Sequence, residues 1–375
     1  MGRRGLVALL CAASLLAPGA ARAGNHLLVG VDDDTIKWLA RTAGVLGVDR
    51  DLGVDAVRLT IPWKRGEARP TRLQQVFLHR IALMVAAHER VVLAVYGRAQ
   101  QAPLAPRDQA VYCDFVAHAV TRIPLIRDVV VWNEANNPSF WPQSAGAPAY
   151  ESLLARCWDT LHALRQPVNV IDSTSPHQDP GSFIAALGLA YRLSGRLFPI
   201  VDTFGHNVYP ESSAEPPWVL HDSTSIDEGD YARLMTVLAA AFGGTPQPLP
   251  GVGRTTIWYL EDGFQTLVPP DKLRPYSGRE TERRPLPALT ASAGAAAVER
   301  DQAAQLRDAI DLAYCQPAVG AFFNFELIDD HRFQGWQSGL LWADGTKKPS
   351  YDAVRAAIAA VHAGSVDCAE VPGAG

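Results

Sequence analysis

Along the chain, short apolar runs rich in β-branched and aromatic residues alternate with stretches in which apolar residues return every three or four positions. Eight runs of the first kind stand out: HLLVGVDDD from His26, AVRLTIPW from Ala56, VVLAVYGR from Val91, VVVWNEAN from Val129, VNVIDSTSP from Val168, VDTFGHNVYP from Val201, TTIWYLEDGF from Thr255 and VGAFFNFELIDD from Val319. Helical periodicity fills the intervals, near residues 36–51, 72–89, 108–122, 149–164, 182–195, 230–242, 299–314 and 350–362. Strands this continuously apolar suit a parallel sheet covered by helices, and eight strand–helix units in roughly 350 residues suit a closed (β/α)8 TIM barrel. The competing α/β arrangement, a doubly wound open sheet, needs a glycine-rich phosphate turn after an early strand. Gly30 to Thr35 reads GVDDDT, acidic where phosphate requires bare amides. One barrel domain over residues 24–375 is the expected architecture.

Composition adds limits. With 375 residues, 48% apolar and 19% charged, the chain can bury a core of that size. The net charge of -5 is dispersed without a basic or acidic block, so no nucleic-acid partner is expected. Arg3 and Arg4, the apolar run Gly5 to Leu16 and the small-residue site Ala21-Arg22-Ala23 predict a signal peptide over 1–23. The apolar run is too short to span a bilayer, so the expectation is a secreted or periplasmic protein with no membrane insertion after signal removal. Export permits disulfides among Cys113, Cys157, Cys315 and Cys368, with three possible connectivities. The favoured pair is Cys315 with Cys368, which would tie the C-terminal tail to a late helix. No cysteines lie at a zinc-site spacing, and no cofactor is implied.

Two strands end in an acid. The fourth runs through Val129, Val130 and Val131 into Trp132-Asn133-Glu134, and the seventh through Trp258, Tyr259 and Leu260 into Glu261. Strand ends in such a barrel converge on the C-terminal mouth, where strands four and seven face each other. Two carboxyl groups across a mouth can cleave a glycosidic bond: one protonates the leaving oxygen, and the other attacks or activates water. The plainer alternative for Glu134 alone is a solvated rim acid beside a helix cap at Asn137 or Ser139.

These residues resemble the clan A retaining glycoside hydrolases, the group containing families 5 and 39. The likeness rests on Asn133-Glu134 closing strand four, Glu261 closing strand seven, Arg58 on strand two, GHNVYP ending strand six, FFNFELIDD on strand eight and SGLLWADGTKKPSYDAV near the C-terminus. It implies a retaining, double-displacement hydrolase of β-glycosidic bonds acting on a poly- or oligosaccharide, with Glu261 as nucleophile and Glu134 as acid/base. Arg58 and Tyr209 would hold Glu261, Asn133 would reach the sugar 2-hydroxyl, and His206 and Asn207 would line the same rim. The chain departs from the pattern in places. Glu134 is followed by Ala135 where proline is common. His206 precedes Tyr209 by three residues, which puts Asn207 on the strand face of Tyr209. Asn324 stands where strand eight often has an aromatic. Glu326 is a rival nucleophile on strand eight, set aside because Glu261 alone ends a strand opposite Glu134.

Several features compete with a structural explanation. Trp38, Trp63, Trp141, Trp218, Trp336 and Trp342 fall near strand ends or loops, where rings either stack on sugar or pack in the core. Trp141 and Trp336 are the expected subsite residues, because both lie in polar loops. Asp32 to Asp34 and Asp329-Asp330 lack the alternating oxygen ligands of a calcium loop, so no metal site is expected. The connection 265–297 is long enough to shape the mouth, and its Lys272, Arg274, Arg279, Arg283 and Arg284 suit either an acidic glycan or solvent. A non-catalytic carbohydrate-binding barrel and a transglycosylase remain the alternatives. The sugar and the oligomeric state are not legible.

Overall fold

The computed structural model describes residues 26–38, 42–87, 89–123, 125–279 and 302–374. The expected signal peptide and residues 280–297 of the long connection, with Arg283 and Arg284, lie outside them. Eight strands form one parallel sheet: β1 Leu28–Asp32, β2 Ala56–Pro62, β3 Arg90–Tyr96, β4 Asp128–Val131, β5 Asn169–Ile171, β6 Phe204–His206, β7 Ile257–Asp262 and β8 Val319–Phe325. Hydrogen-bonded neighbours run β5-β4-β3-β2-β1-β8-β7-β6. Parallel bridges Ile171 to Thr203 and Thr174 to His206 join the two ends, so the sheet closes into the expected (β/α)8 barrel.

The outer layer is α1 Thr35–Trp38, α2 Thr42–Leu52, α3 Arg72–Ala86, α4 Pro106–Arg122, α5 Gly146–His162, α6 Pro180–Ser194, α7 Tyr231–Phe242, α8 Gln302–Cys315 and α9 Pro349–Ala363. Local chemistry sets these bounds. Thr71 and Gln74 form a reciprocal capping box at the start of α3. Pro106 and Pro349 sit in the first turns of α4 and α9, where a missing N–H costs nothing. The first helical interval holds two segments, α1 and α2. Disulfides join Cys113 to Cys157, between α4 and α5, and Cys315 to Cys368, the pair favoured from sequence.

Strand periodicity divides the apolar residues into two cores. Ala56, Val92, Ala94, Val130, Ile171, Trp258, Leu260, Ala321 and Phe323 pack together inside the ring. Their neighbours Val57, Leu93, Val131, Tyr259 and Phe322 join the larger core beneath the helices. Alanines from β2, β3 and β8 make room for Trp258 and Phe323. Gly30 belongs to this arrangement, since a Cβ there would collide with the Phe323 ring and the Ala56 carbonyl. Two residues further along the inward face of each strand, Asp32 follows Gly30 and Arg58 follows Ala56, in register with each other. The polar layer of the mouth begins there.

Candidate active site

The two acids reach the mouth by different backbone devices. After Val131, both Trp132 (φ 68°) and Glu134 (φ 40°) adopt left-handed conformations that side chains with a Cβ rarely take, at a cost of about 1–3 kcal/mol each. Packing enforces the bend. Trp132 is fully buried with edge-on contacts to Trp63, Tyr112 and Trp141 at 6.1, 5.6 and 6.0 Å, and its indole N–H donates to the Phe140 carbonyl. The Glu134 N–H donates to Ser173 Oγ at 3.0 Å, and the Asn136 amide exchanges hydrogen bonds with the Ser175 backbone. Glu261 instead stays on β7. There Tyr259 pairs with Phe322 and Asp262 with Asn324, so β7 carries one more residue than β8, a bulge that aims Glu261 across the barrel end.

Arg58 ties the site together. Its Nη1 donates to Asp32 and, at 2.8 Å, to Glu261 Oε1, while Nη2 donates to Asn133 Oδ1 at 2.9 Å. The guanidinium is fully buried, and burial opposes its charge, but Asp32 and Glu261 outweigh that and hold its pKa above the ordinary value. The other oxygen of Glu261 accepts from the Tyr209 hydroxyl at 3.0 Å. Burial and the charge of Glu261 raise that phenol well above its ordinary pKa, so it remains a donor. With Asn133 Oδ1 held by Arg58, the amide nitrogen is what Asn133 has left to offer the cavity it lines.

Glu134 has a different setting. Oε1 accepts from Asn207 Nδ2 at 2.8 Å and Oε2 from Asn137 Nδ2 at 2.6 Å. Burial pushes its pKa up to about 7 and the charge of Glu261 adds to the rise, against those two hydrogen bonds and Arg58. This carboxyl keeps its proton near neutrality.

Glu134 and Glu261 open on one cavity of about 820 Å³. One wall is aromatic: Trp336 stacks on Tyr209 with centroids 5.3 Å apart, and Phe325 meets both rings edge-on. Tyr96, Arg98, Asn137, Phe140, His177 and Gln178 also line the cavity. Phe325, the residue after Asn324, puts a β8 aromatic on the cavity wall, while Asn324 is buried and donates to the Glu326 carbonyl. Glu326 lines the cavity, and burial, reinforced by Asp330, Asp33, Asp32 and Asp329, raises its pKa well above the carboxylate range.

Two residues expected at the rim sit elsewhere. Trp141 is 1% exposed, edge-on to Trp132 and Tyr150, with its indole N–H on the Gly146 carbonyl, so it backs the strained turn and does not line this cavity. His206 is buried between Thr174 Oγ1 and the Ile226 carbonyl, each 2.7 Å from a ring nitrogen. Burial lowers its pKa to about 4, leaving a neutral strap from β6 to the following loop. Asn207 lies behind Glu134 and is fully buried. Among the other tryptophans, Trp63 is core, Trp38 is largely exposed, and neither Trp218 nor Trp342 lines the cavity. Lys272, Arg274 and Arg279 also lie off it, with Lys272 paired to Asp344. The strand-end aspartates are engaged by protein donors: Asp32 by Arg58, Asp33 by Thr35, Asp34 by Lys37 and Asp329 by Lys348.

No family model matches the chain, and no curated protein does. Solved structures match it. A family 39 glycoside hydrolase from the gut symbiont Bacteroides cellulosilyticus WH2 aligns with a TM-score of 0.60 at 15% identity, over 89% of this chain and 64% of that one. The GH53 catalytic domain of Ignisphaera aggregans aligns with a TM-score of 0.60 at 15% identity, over 90% and 97%. GH5_18 from Streptomyces cattleya, in complex with GlcNAc, gives 0.58 at 16% identity, over 91% and 81%. The likeness is one of fold. It extends across several glycoside hydrolase families and singles out none of them.

Proposed function

We propose that this chain is an exported retaining glycoside hydrolase that cleaves β-glycosidic bonds in a poly- or oligosaccharide. The observation that carries the reading is the unequal treatment of two buried glutamates on one cavity. Arg58 and Tyr209 each donate to Glu261, which stabilises a carboxylate ready to attack. Glu134 receives only neutral amides and holds a proton to about pH 7. A nucleophile and an acid need that difference.

In the first step, a Glu261 oxygen bonds to the anomeric carbon as the bond to the leaving oxygen breaks, and Glu134 gives its proton to that oxygen. In the second, Glu134, now ionised, takes a proton from water. The water oxygen bonds to the anomeric carbon, and Glu261 leaves as a carboxylate. The Asn133 amide would donate to the 2-hydroxyl, a contact that strengthens as positive charge develops on the sugar. Trp336 and Phe325 offer flat apolar faces to sugar C–H groups. Glu326 is a weaker nucleophile candidate: neither Arg58 nor Tyr209 donates to it, and its raised pKa keeps it protonated.

A glycan panel read by reducing-end release identifies a substrate. Trapping with a slow-turnover fluorosugar and mapping the labelled peptide then tests the roles: label on Glu261 and a retained product are expected. Label on Glu326, or an inverted product, defeats the assignment.

A further inference from the structure

The loop between β6 and α7, residues 207–230, carries a second cluster of chemistry-bearing side chains apart from the two glutamates. Ligand atoms of Glu215, His221 and Asp227 all lie within 4.8 Å of one another. His221 Nε2 is 2.9 Å from Glu215 Oε1, and Nδ1 is 3.0 Å from Asp227 Oδ2 and 3.1 Å from Asp230 Oδ2. One oxygen of Asp227 accepts from the Gly229 N–H. The other, Oδ2, points into the cluster on a residue only 3% exposed, and has no hydrogen-bond partner among the described residues.

We propose that Glu215, His221 and Asp227 bind a divalent first-row transition-metal ion, zinc or manganese, that staples the β6–α7 loop. Charge supports this. Three carboxylates, Glu215, Asp227 and Asp230, face a single arginine, Arg233, which pairs with Asp230 at 3.0 Å. Counted as ionised, these three carboxylates exceed the one guanidinium by two negative charges before the histidine is considered, and a divalent ion bound by the imidazole and carboxylates would offset them. One imidazole among carboxylates selects a borderline cation over calcium, which prefers six or more oxygens.

The site has a structural consequence. The same loop carries Tyr209, Pro210 and Ser213 of the cavity wall, and Gln305 on α8 donates to the Ser213 and Glu215 carbonyls. All three ligands fall within one short segment, so a bound ion would stabilise the loop that places Tyr209 on Glu261. The proposal does not depend on which reaction the cavity performs, because it is tested without substrate.

The full mature chain, stripped with EDTA and without an affinity tag, is titrated with Zn2+, Mn2+ and Ca2+ by calorimetry and by thermal unfolding. Expected are one Zn2+ or Mn2+ per chain, a rise in Tm on the order of 3 °C at saturating metal, and weaker binding of Ca2+. Asp227→Asn, which keeps the shape, and His221→Ala should each abolish the binding and the rise in Tm. If His221→Ala fails to fold, Asp227→Asn alone decides. Lack of binding at about 1 mM metal, binding that survives Asp227→Asn, or a preference for Ca2+ would each overturn the proposal.

Discussion

The ends of β4 and β7 present the same residue, glutamate, to the same cavity, but hold it by opposite means. At the β4 end the backbone is strained and no charged group bonds the carboxyl: two left-handed residues, edge-on tryptophans and a tyrosine behind the first of them, and neutral amides on the carboxyl. At the β7 end the backbone remains in the sheet apart from one bulge, and charge holds the carboxyl through Arg58. Packing excludes water and so raises a carboxyl pKa, whereas a buried guanidinium favours the ionised form. The fold thus gives two identical side chains different hydrogen-bond partners, a guanidinium and a phenol at Glu261 and two neutral amides at Glu134, and the proposed division into nucleophile and acid rests on that difference. Arg58 marks the divide: it contacts Glu261 and Asn133 but not Glu134, one residue further on.

The largest test removes the charge at β7. Glu261→Gln should lower turnover by about 10⁴-fold or more, because an amide cannot form the glycosyl ester. The fold should survive, since Arg58 keeps Asp32. Residual activity within tenfold of the parent would place the nucleophile elsewhere.

At β4 the corresponding weak point is packing. Trp141→Ala should destabilise the chain by about 3–5 kcal/mol, as for other buried aromatics, and loosen the turn that presents Glu134. Urea unfolding and steady-state kinetics together check this. An unchanged midpoint with a raised KM would make Trp141 a sugar contact after all.

That contrast also explains what could be read from sequence. The eight strands, the helices and both glutamates follow from periodicities and from where each apolar run stops, because burial dictates those positions one strand at a time. Trp141 misled because a bulky ring in a polar loop looks purposeless until Trp132 is seen beneath it. His206 misled because strand alternation gave the face of Asn207 and Tyr209 but not what covers the other face. Phe325, one place beyond the expected position, needed the end geometry of β8. The Glu215–His221–Asp227 cluster left no periodic trace, since an irregular loop brings it together.

Protonation sharpens the comparison further. Glu134 keeps its proton in the folded chain to about pH 7, against an ordinary value of 4.5 when unfolded. Between those values the folded state binds more protons than the unfolded state, so this residue's contribution to stability falls as pH rises and levels off above 7. Glu134→Gln removes that dependence. Denaturation midpoints should favour Glu134→Gln above pH 7, by up to roughly 3 kcal/mol, and converge near pH 4.5. Parallel midpoint curves for the two proteins across this range would show that Glu134 titrates normally.

The smallest effect belongs to Asn207, and it isolates the acid/base role proposed for Glu134. Its amide nitrogen donates to Glu134 Oε1 at 2.8 Å, while its oxygen is buried with no hydrogen-bond partner among the described residues. The nitrogen favours ionised Glu134; turned over, the same amide would offer its oxygen to the proton of the neutral form. In the proposed mechanism Asn207 would therefore have a use in both steps, although it is fully buried and does not line the cavity. Asn207→Ala removes the donor, so the Glu134 pKa should rise and the alkaline limb of kcat/KM should move upward by about one pH unit or less. The second step, which needs Glu134 ionised, should slow most below neutrality, and an activated aryl glycoside whose first step needs no acid exposes it. A uniform loss of rate with an unmoved pH profile would reduce Asn207 to a packing residue and leave burial alone to set the acid.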